Sequence, residues 1–275
     1  MPELPEVETI SNGLNKLVQN DRIESVWIGK KKEPLKSPAA EIARTLEGTL
    51  IASVRRVGKH IVFDLKPFDL KPDRASGTSQ WIVHLGMTGR MLVTAPETEI
   101  EKHTHLIAKL SSGRELRFVD PRRFGRLEVR KEGFTGPGTE PLQVELEDFI
   151  KLFRKSKAPI KAALLNQKLL HGVGNIYADE SLFRARIRPR RRSHTLTKSE
   201  LKKLHSAVRK VLKEAIAAGG SSISDYVDAD GEAGFFQIQH RVYGREGEPC
   251  LVCKSPIKKI VVGGRGTHYC PKCQK

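Results

Sequence analysis

No stretch of about 18 consecutive apolar residues occurs in this chain, so no segment is a candidate membrane-spanning helix. The start has neither the basic run nor the apolar run of a secretory signal. Cysteine is scarce: the four present in 275 residues all fall between 250 and 273, which excludes a disulfide framework and suits a reducing cytosol. Acidic residues are in deficit, 32 Asp and Glu against 49 Lys and Arg, and the formal charge of +17 favours a polyanionic partner, nucleic acid ahead of a membrane surface. There is no internal repeat. The length allows a buried core and predicts two domains with a small appendage.

What is present divides by hydrophobic period. Val7, Ile10, Leu14, Leu17 and Val18 recur at helical spacing, so a leading amphipathic helix starts near Pro5, with Glu6 and Glu8 at the positive end of its dipole. Short Val-, Ile- and Phe-rich runs follow at 23–29, 50–57, 59–65, 80–86, 104–110 and 114–119, separated by turn signals; they predict an antiparallel sandwich or barrel over residues 1–134. Residues 67–79 read as a surface excursion and 135–144 as a Gly- and Pro-rich linker. Four helical segments dominate 145–218, the last marked by Leu201, Leu204, Val208, Val211, Leu212 and Ala215, with a Thr197–Glu200 capping box and a stop at Gly219. Residues 219–240 read as a loop that completes a helical domain, 145–240, and a cysteine module occupies 241–275. The class is α+β.

Several residues are candidates for chemistry. Cys250-x2-Cys253-x16-Cys270-x2-Cys273 has the ligand type and spacing of a closed, structural zinc site, with a hairpin between the knuckles whose Gly-rich tip carries Arg265. Four unrelated buried cysteines are the alternative, and Arg265 is either a phosphate contact or a solvated tip residue. In HGVGNIYADESLF, Gly172 and Gly174 free the backbone and Asn175 stands where an N-cap belongs, a start suited to a phosphate or simply a capped helix. RARIRPRRR follows directly. Lys59 shares strand parity with Val57, Ile61, Phe63 and Leu65, so it is either a buried, reactive amine or a snorkelling strand-end lysine. Met87 in HLGMTGR, and Arg122 and Phe124 in DPRRFGR, sit in turns, where they are core residues or wedges for a base stack. Pro2 and Glu3, ahead of the leading helix, have no structural explanation.

PELPEVET, RVGKHIVF, HLGMTG, DPRRFG, HGVGNIYADESLF and the terminal CxxC…GRGTHYCPKCQ, in this order along essentially the whole chain, resemble the bacterial formamidopyrimidine-DNA glycosylases. The resemblance implies an N-terminal β-sandwich, a helix–two-turn–helix domain and a zinc finger, in a monomer acting on double-stranded DNA in the bacterial cytoplasm at the nucleoid. It implies excision of 8-oxoguanine and formamidopyrimidines followed by β,δ-elimination at the abasic site, with one structural zinc as the only cofactor. Pro2 corresponds to the nucleophile once Met1 is removed, Glu3 to the acid, Glu6 to its supporting carboxylate, and Lys59 and Arg265 to further catalytic residues. Met87, Arg122 and Phe124 correspond to the trio that fills the space left by a flipped base, and His103, Lys161, Asn175 and Arg265 to DNA contacts. Ser221, Ser222, Ile223, Ser224 and Tyr226 fall in the lesion-recognition loop, where Ser224 replaces a basic residue of some relatives. The sister endonuclease VIII group, which prefers oxidised pyrimidines, and a noncatalytic nucleic-acid-binding zinc protein are the competing readings; the second gives Pro2 and Glu3 no role.

Overall fold

The computed structural model describes every residue except 32, 69–76, 132 and 222–234. Ser222, Ile223, Ser224 and Tyr226 lie outside the described residues, as does most of the 67–79 excursion. The chain forms two compact units: Met1–Pro2, Glu6–Thr135 and Ser221 in one, and Glu3–Pro5, Gly136–Gly220 and Phe235–Lys275 in the other.

In the first unit, α1 (Leu4–Val18) buries Val7, Ile10, Leu14 and Val18, a stripe at helical spacing. It is followed by β1 (Arg22–Ile28), α2 (Ala39–Leu46), β2 (Thr49–Val57), β3 (His60–Pro67), β4 (Ser79–His84), β5 (Arg90–Thr94), β6 (Thr104–Leu110), β7 (Glu115–Val119) and β8 (Arg126–Lys131). The strands pair antiparallel in the order β5-β7-β6-β1-β2-β3-β4-β8. The ladder is thinnest between β1 and β2, where only Arg22↔Leu50 and Ile23↔Thr49 pair, and bulges at Ile23/Ser25 and Ile51/Ser53 flank that junction. Bulges bend and twist a strand, and here they let one ladder fold into a β-sandwich around a single core. Phe63 stacks on Trp81 at 4.7 Å within it, and Phe118 and Leu127 join from the other strands.

The second unit packs α3 (Leu146–Arg154), α4 (Ile160–Leu165), α5 (Asn175–Ala185) and α6 (Lys198–Ala217) around Phe149, Phe153, Tyr177, Leu182 and the predicted α6 stripe, with Leu4 in the same core. The α6 capping box forms as expected: Thr197 accepts from the Glu200 amide at 3.2 Å, and Glu200 from the Thr197 amide at 2.8 Å. A hairpin of β9 (Lys258–Val262) and β10 (Arg265–Tyr269) completes the unit, and Cys250 and Cys270, which flank it in sequence, share a small core with Phe183, Val242 and Ile257.

Of the α-helices and strands named above, three have no counterpart in the sequence reading: α2, β5 and β8. RMLVT and RLEVRK are five and six residues long and bounded or interrupted by charge, so pattern alone assigns them to the loops carrying Met87 and Phe124.

Candidate active site and nucleic-acid interface

The first unit exposes two large apolar side chains on two loops. Met87 and Phe124 are large hydrophobic residues left 44% and 53% exposed, against the usual preference of such side chains for the core. The Arg122 guanidinium lies 4.9 Å from the Phe124 ring centroid, within cation–π range. The loops are pressed together at Gly86, where φ is +62° and a Cβ would come within 2.5 Å of the Phe124 backbone. Glycine is required there on both grounds.

Asp120, fully buried, is the clamp. Its carboxylate accepts from the Thr88 hydroxyl at 2.6 Å, the Gly125 amide at 2.7 Å and the Arg122 amide at 3.3 Å, while its carbonyl faces His105 Nε2 at 2.9 Å. Its amide donates to the carbonyl of His103, an exposed residue beside the basic cleft of Lys30, Lys31, Lys102 and Arg123. Asp120 is absent from the sequence-derived candidates, because its work is on backbone amides and leaves no periodic signal.

His84 sits behind the Met87 turn and accepts the Gly86 amide on Nδ1 at 3.1 Å. Burial, helped by the positive potential of His60, Lys59 and Arg126, pushes its pKa down to about 4. The ring is therefore neutral at pH 7, as an acceptor must be.

Lys59 is buried at 7% exposure, but not as a strand residue. Val57 pairs with His60, so Gly58 and Lys59 form the two-residue hairpin turn, with Gly58 at φ +59°. A buried lysine in a hairpin turn is less ordinary than one on a strand. Glu6, also buried, accepts the Ser221 amide at 2.8 Å. Pro2 is half-buried and Met1 exposed.

In the second unit the expected Asn175 cap is replaced by a different arrangement. Gly174 is the N-cap and Asn175 the first helical residue of α5, with no side-chain cap from within the segment. The carboxylate of Glu3 takes the place instead, accepting from the Ile176 amide at 3.2 Å and the Tyr177 amide at 3.5 Å. A Cβ at Gly174 would overlap that carboxyl group, and one at Gly172 (φ +100°) would press on Leu4, whose amide donates to the Gly172 carbonyl at 3.0 Å. The two glycines make room for the Glu3–Leu4 segment.

Asn175 is thereby released to donate from Nδ2 to the Gly266 carbonyl at 3.0 Å. Lys161 Nζ donates to the same carbonyl at 3.0 Å and pairs with Asp179 at 2.6 Å, both side chains being fully buried. Burial lowers the Lys161 pKa and Asp179 opposes the shift. Lys161 therefore holds the hairpin beside Arg265 rather than presenting its ammonium at the surface. Asp179 and Glu180, both buried, complete the anchorage. Asp179 accepts the His268 amide at 2.8 Å, and Glu180 accepts the amides of Arg241, Val242 and Tyr243 at 2.9–3.1 Å. In the sequence both carboxylates pass for ordinary helix residues. Arg265 is exposed at the hairpin tip.

The ligand atoms of Cys250, Cys253, Cys270 and Cys273 all lie within 4.8 Å of one another, with Sγ separations of 3.9 Å for Cys250–Cys273 and 3.4 Å for Cys253–Cys270. Tetrahedral zinc with Zn–S bonds of about 2.3 Å places sulfurs about 3.8 Å apart, so the cluster fits one structural zinc with no coordination position left over.

Comparison with known proteins agrees with this geometry. Residues 1–127 match the formamidopyrimidine-DNA glycosylase N-terminal domain, 136–227 its H2TH domain, and 247–275 the zinc finger found in these enzymes and in isoleucyl-tRNA synthetase. The formamidopyrimidine-DNA glycosylases of Listeria monocytogenes and Solibacter usitatus are 41% and 43% identical, each aligned over 100% of both chains. Among solved structures, the MutM protein of Thermus thermophilus superposes with a TM-score of 0.85 at 41% identity, covering 99% of this chain and 98% of that one. A Lactococcus lactis enzyme bound to Fapy-dG DNA superposes at 0.89 with 34% identity over 100% of both. The matched domains and the superposed structures thus define a DNA glycosylase of base excision repair. The chain belongs to the formamidopyrimidine-DNA glycosylase family, the oxidised-purine enzymes with abasic-site lyase activity.

Proposed function

We propose that this chain excises 8-oxoguanine and formamidopyrimidines from duplex DNA through a covalent intermediate on Pro2, and then opens the abasic strand by β,δ-elimination. Removal of Met1 frees the Pro2 amine, a secondary amine that attacks C1′ as the damaged base departs. The resulting iminium withdraws electrons from C2′, which loses a proton to start elimination. An internal proline is an amide without a nucleophilic lone pair, so the chemistry depends on that maturation.

The observation that carries the reading is the placement of Glu3. A carboxylate joined to the nucleophile by one peptide bond is fixed by the Ile176 and Tyr177 amides, so its position no longer depends on a flexible terminus. The carboxylate takes the proton that the Pro2 amine gives up on attack and delivers it to the sugar ring oxygen as the ring opens, a contribution of roughly 10²–10⁴-fold for general acid–base catalysis. Glu6 acts as the supporting carboxylate of the nucleophile, and Lys59 assists from its hairpin turn. The target base has to leave the stack before any of this begins. Met87 and Phe124 fill the vacated space, and Arg122 bonds the orphaned cytosine. Asn175, His103 and Arg265 meet phosphates, with Arg265 also placed to assist elimination. The enzyme works as a monomer in the cytoplasm on nucleoid DNA. Its four cysteines need a reducing compartment to remain thiolate ligands.

Excision of 8-oxoguanine opposite cytosine, measured beside excision of thymine glycol on otherwise identical duplexes, tests the substrate class. Faster release of 8-oxoguanine is expected; a preference for thymine glycol overturns the purine assignment.

A further inference from the structure

The arginine run after α5 is only partly absorbed by the fold. Arg184 pairs with Glu214 and Arg191 with Glu200, Arg188 lies over the Tyr269 ring, and Arg192 donates to the Lys157 carbonyl. Arg186 takes the left-handed C-cap conformation of α5 (φ 59°) and stays exposed. It borders a cavity of about 690 Å³, inside the roughly 300–1,000 Å³ range of ligand clefts.

Residues of α6 build one wall in two adjacent rows at i,i+4 spacing, Lys202–Ser206–Lys210–Glu214 and Ser199–Lys203–Ala207. Arg184, Arg186 and Arg241 close the rim, so six cations face a single carboxylate, and that carboxylate is already paired with Arg184. The floor is apolar: Phe183, Ala207 and Val252, the last left 55% exposed. The cavity lies at the C-terminal end of α5, whereas Glu3 and Asn175 hold its N-terminus. At 1.5 Å per residue the two ends of this 11-residue helix are about 15 Å apart, so the cavity is separate from the phosphate-facing corner of this unit.

The chemistry of the lining selects its occupant. A duplex is too wide to enter a cavity of this size and would leave the apolar floor unused; a bare phosphate would leave Val252 and Ala207 uncovered. We propose that this cavity docks an acidic peptide segment of a partner protein, with one large apolar side chain on the Phe183–Val252 floor and its carboxylates among the α6 lysines and Arg186 and Arg241. Because the DNA-facing residues lie at the other end of α5, peptide and lesion duplex bind together.

Fluorescence anisotropy of a labelled peptide of consecutive aspartates ending in phenylalanine, titrated with the full-length zinc-loaded protein, tests this with and without saturating abasic-site duplex. Binding that survives the duplex is expected, weakened about tenfold or more by Lys202→Glu with Lys210→Glu, and weakened again when serine replaces the terminal phenylalanine. Zinc content and glycosylase rate of the double variant should match the parent, which separates a docking defect from misfolding. Absence of peptide binding, insensitivity to the double variant, equal affinity for the serine peptide, or displacement by duplex each overturns the proposal. Loss of duplex affinity in the double variant also overturns it, by making the groove part of the DNA track.

Discussion

Replacing Glu3 with Gln keeps an oxygen that accepts the Ile176 amide but removes the exchangeable acid. Base excision should fall by roughly 10²–10⁴-fold, while the urea midpoint shifts by no more than about 1 kcal/mol in stability and duplex affinity persists; parallel loss of folding and activity would contradict the assignment. Asp120 makes the opposite case. Asp120→Ala strands the buried Gly125 amide and Thr88 hydroxyl, and should cost about 2–5 kcal/mol of stability in a denaturant titration, with Asp120→Asn milder. These two residues also mark how far sequence reasoning reached. Glu3 stood out because composition and periodicity gave it no job, and the family resemblance supplied one. Asp120, Asp179 and Glu180 stayed invisible because their partners, mostly main-chain amides together with the Thr88 hydroxyl and the Lys161 ammonium, are brought close only by folding. The Asn175 cap was a sound local inference that Glu3, from the start of the chain, displaced.

At the level of elements, turns hold the candidate site side chains and strands hold the turns. The Met87 turn depends on a neutral His84 ring, whose folded pKa of about 4 lies below its ordinary 6.5. Between these values the unfolded chain binds more protons than the folded one, so stability is full above pH 6.5 and is lost as pH falls towards 4. His84→Asn should flatten that part of the pH–stability profile; an unchanged slope would mean that His84 does not set it. The long helices were legible because their stripes and the α6 capping box are local. Strands β5 and β8 were not, since neither is identifiable apart from the neighbours that pair with it. For Lys59 the residue pattern allows either a buried amine or a snorkelling strand-end lysine; the fold buries it, in a turn whose position follows from the Val57↔His60 register, which the alternation of residues does not specify.

For the molecule as a whole, charge and zinc set the terms of DNA binding. The hairpin module has a core of only a few residues, too small to stand without its metal. Chelation should therefore weaken duplex affinity at least about tenfold while near-UV signals from Trp81 in the sandwich persist; binding indifferent to metal removal would contradict the zinc assignment. Affinity should also drop steeply with added salt, as expected when phosphate contacts release counterions. The covalent chemistry proposed for Pro2 is tested most directly by borohydride reduction of the enzyme on 8-oxoguanine duplex, followed by sequencing of the cross-linked terminus. A stable protein–DNA adduct on a terminal Pro2 lacking Met1 is the expected result; an adduct on another residue, or active enzyme with Met1 retained, would contradict it.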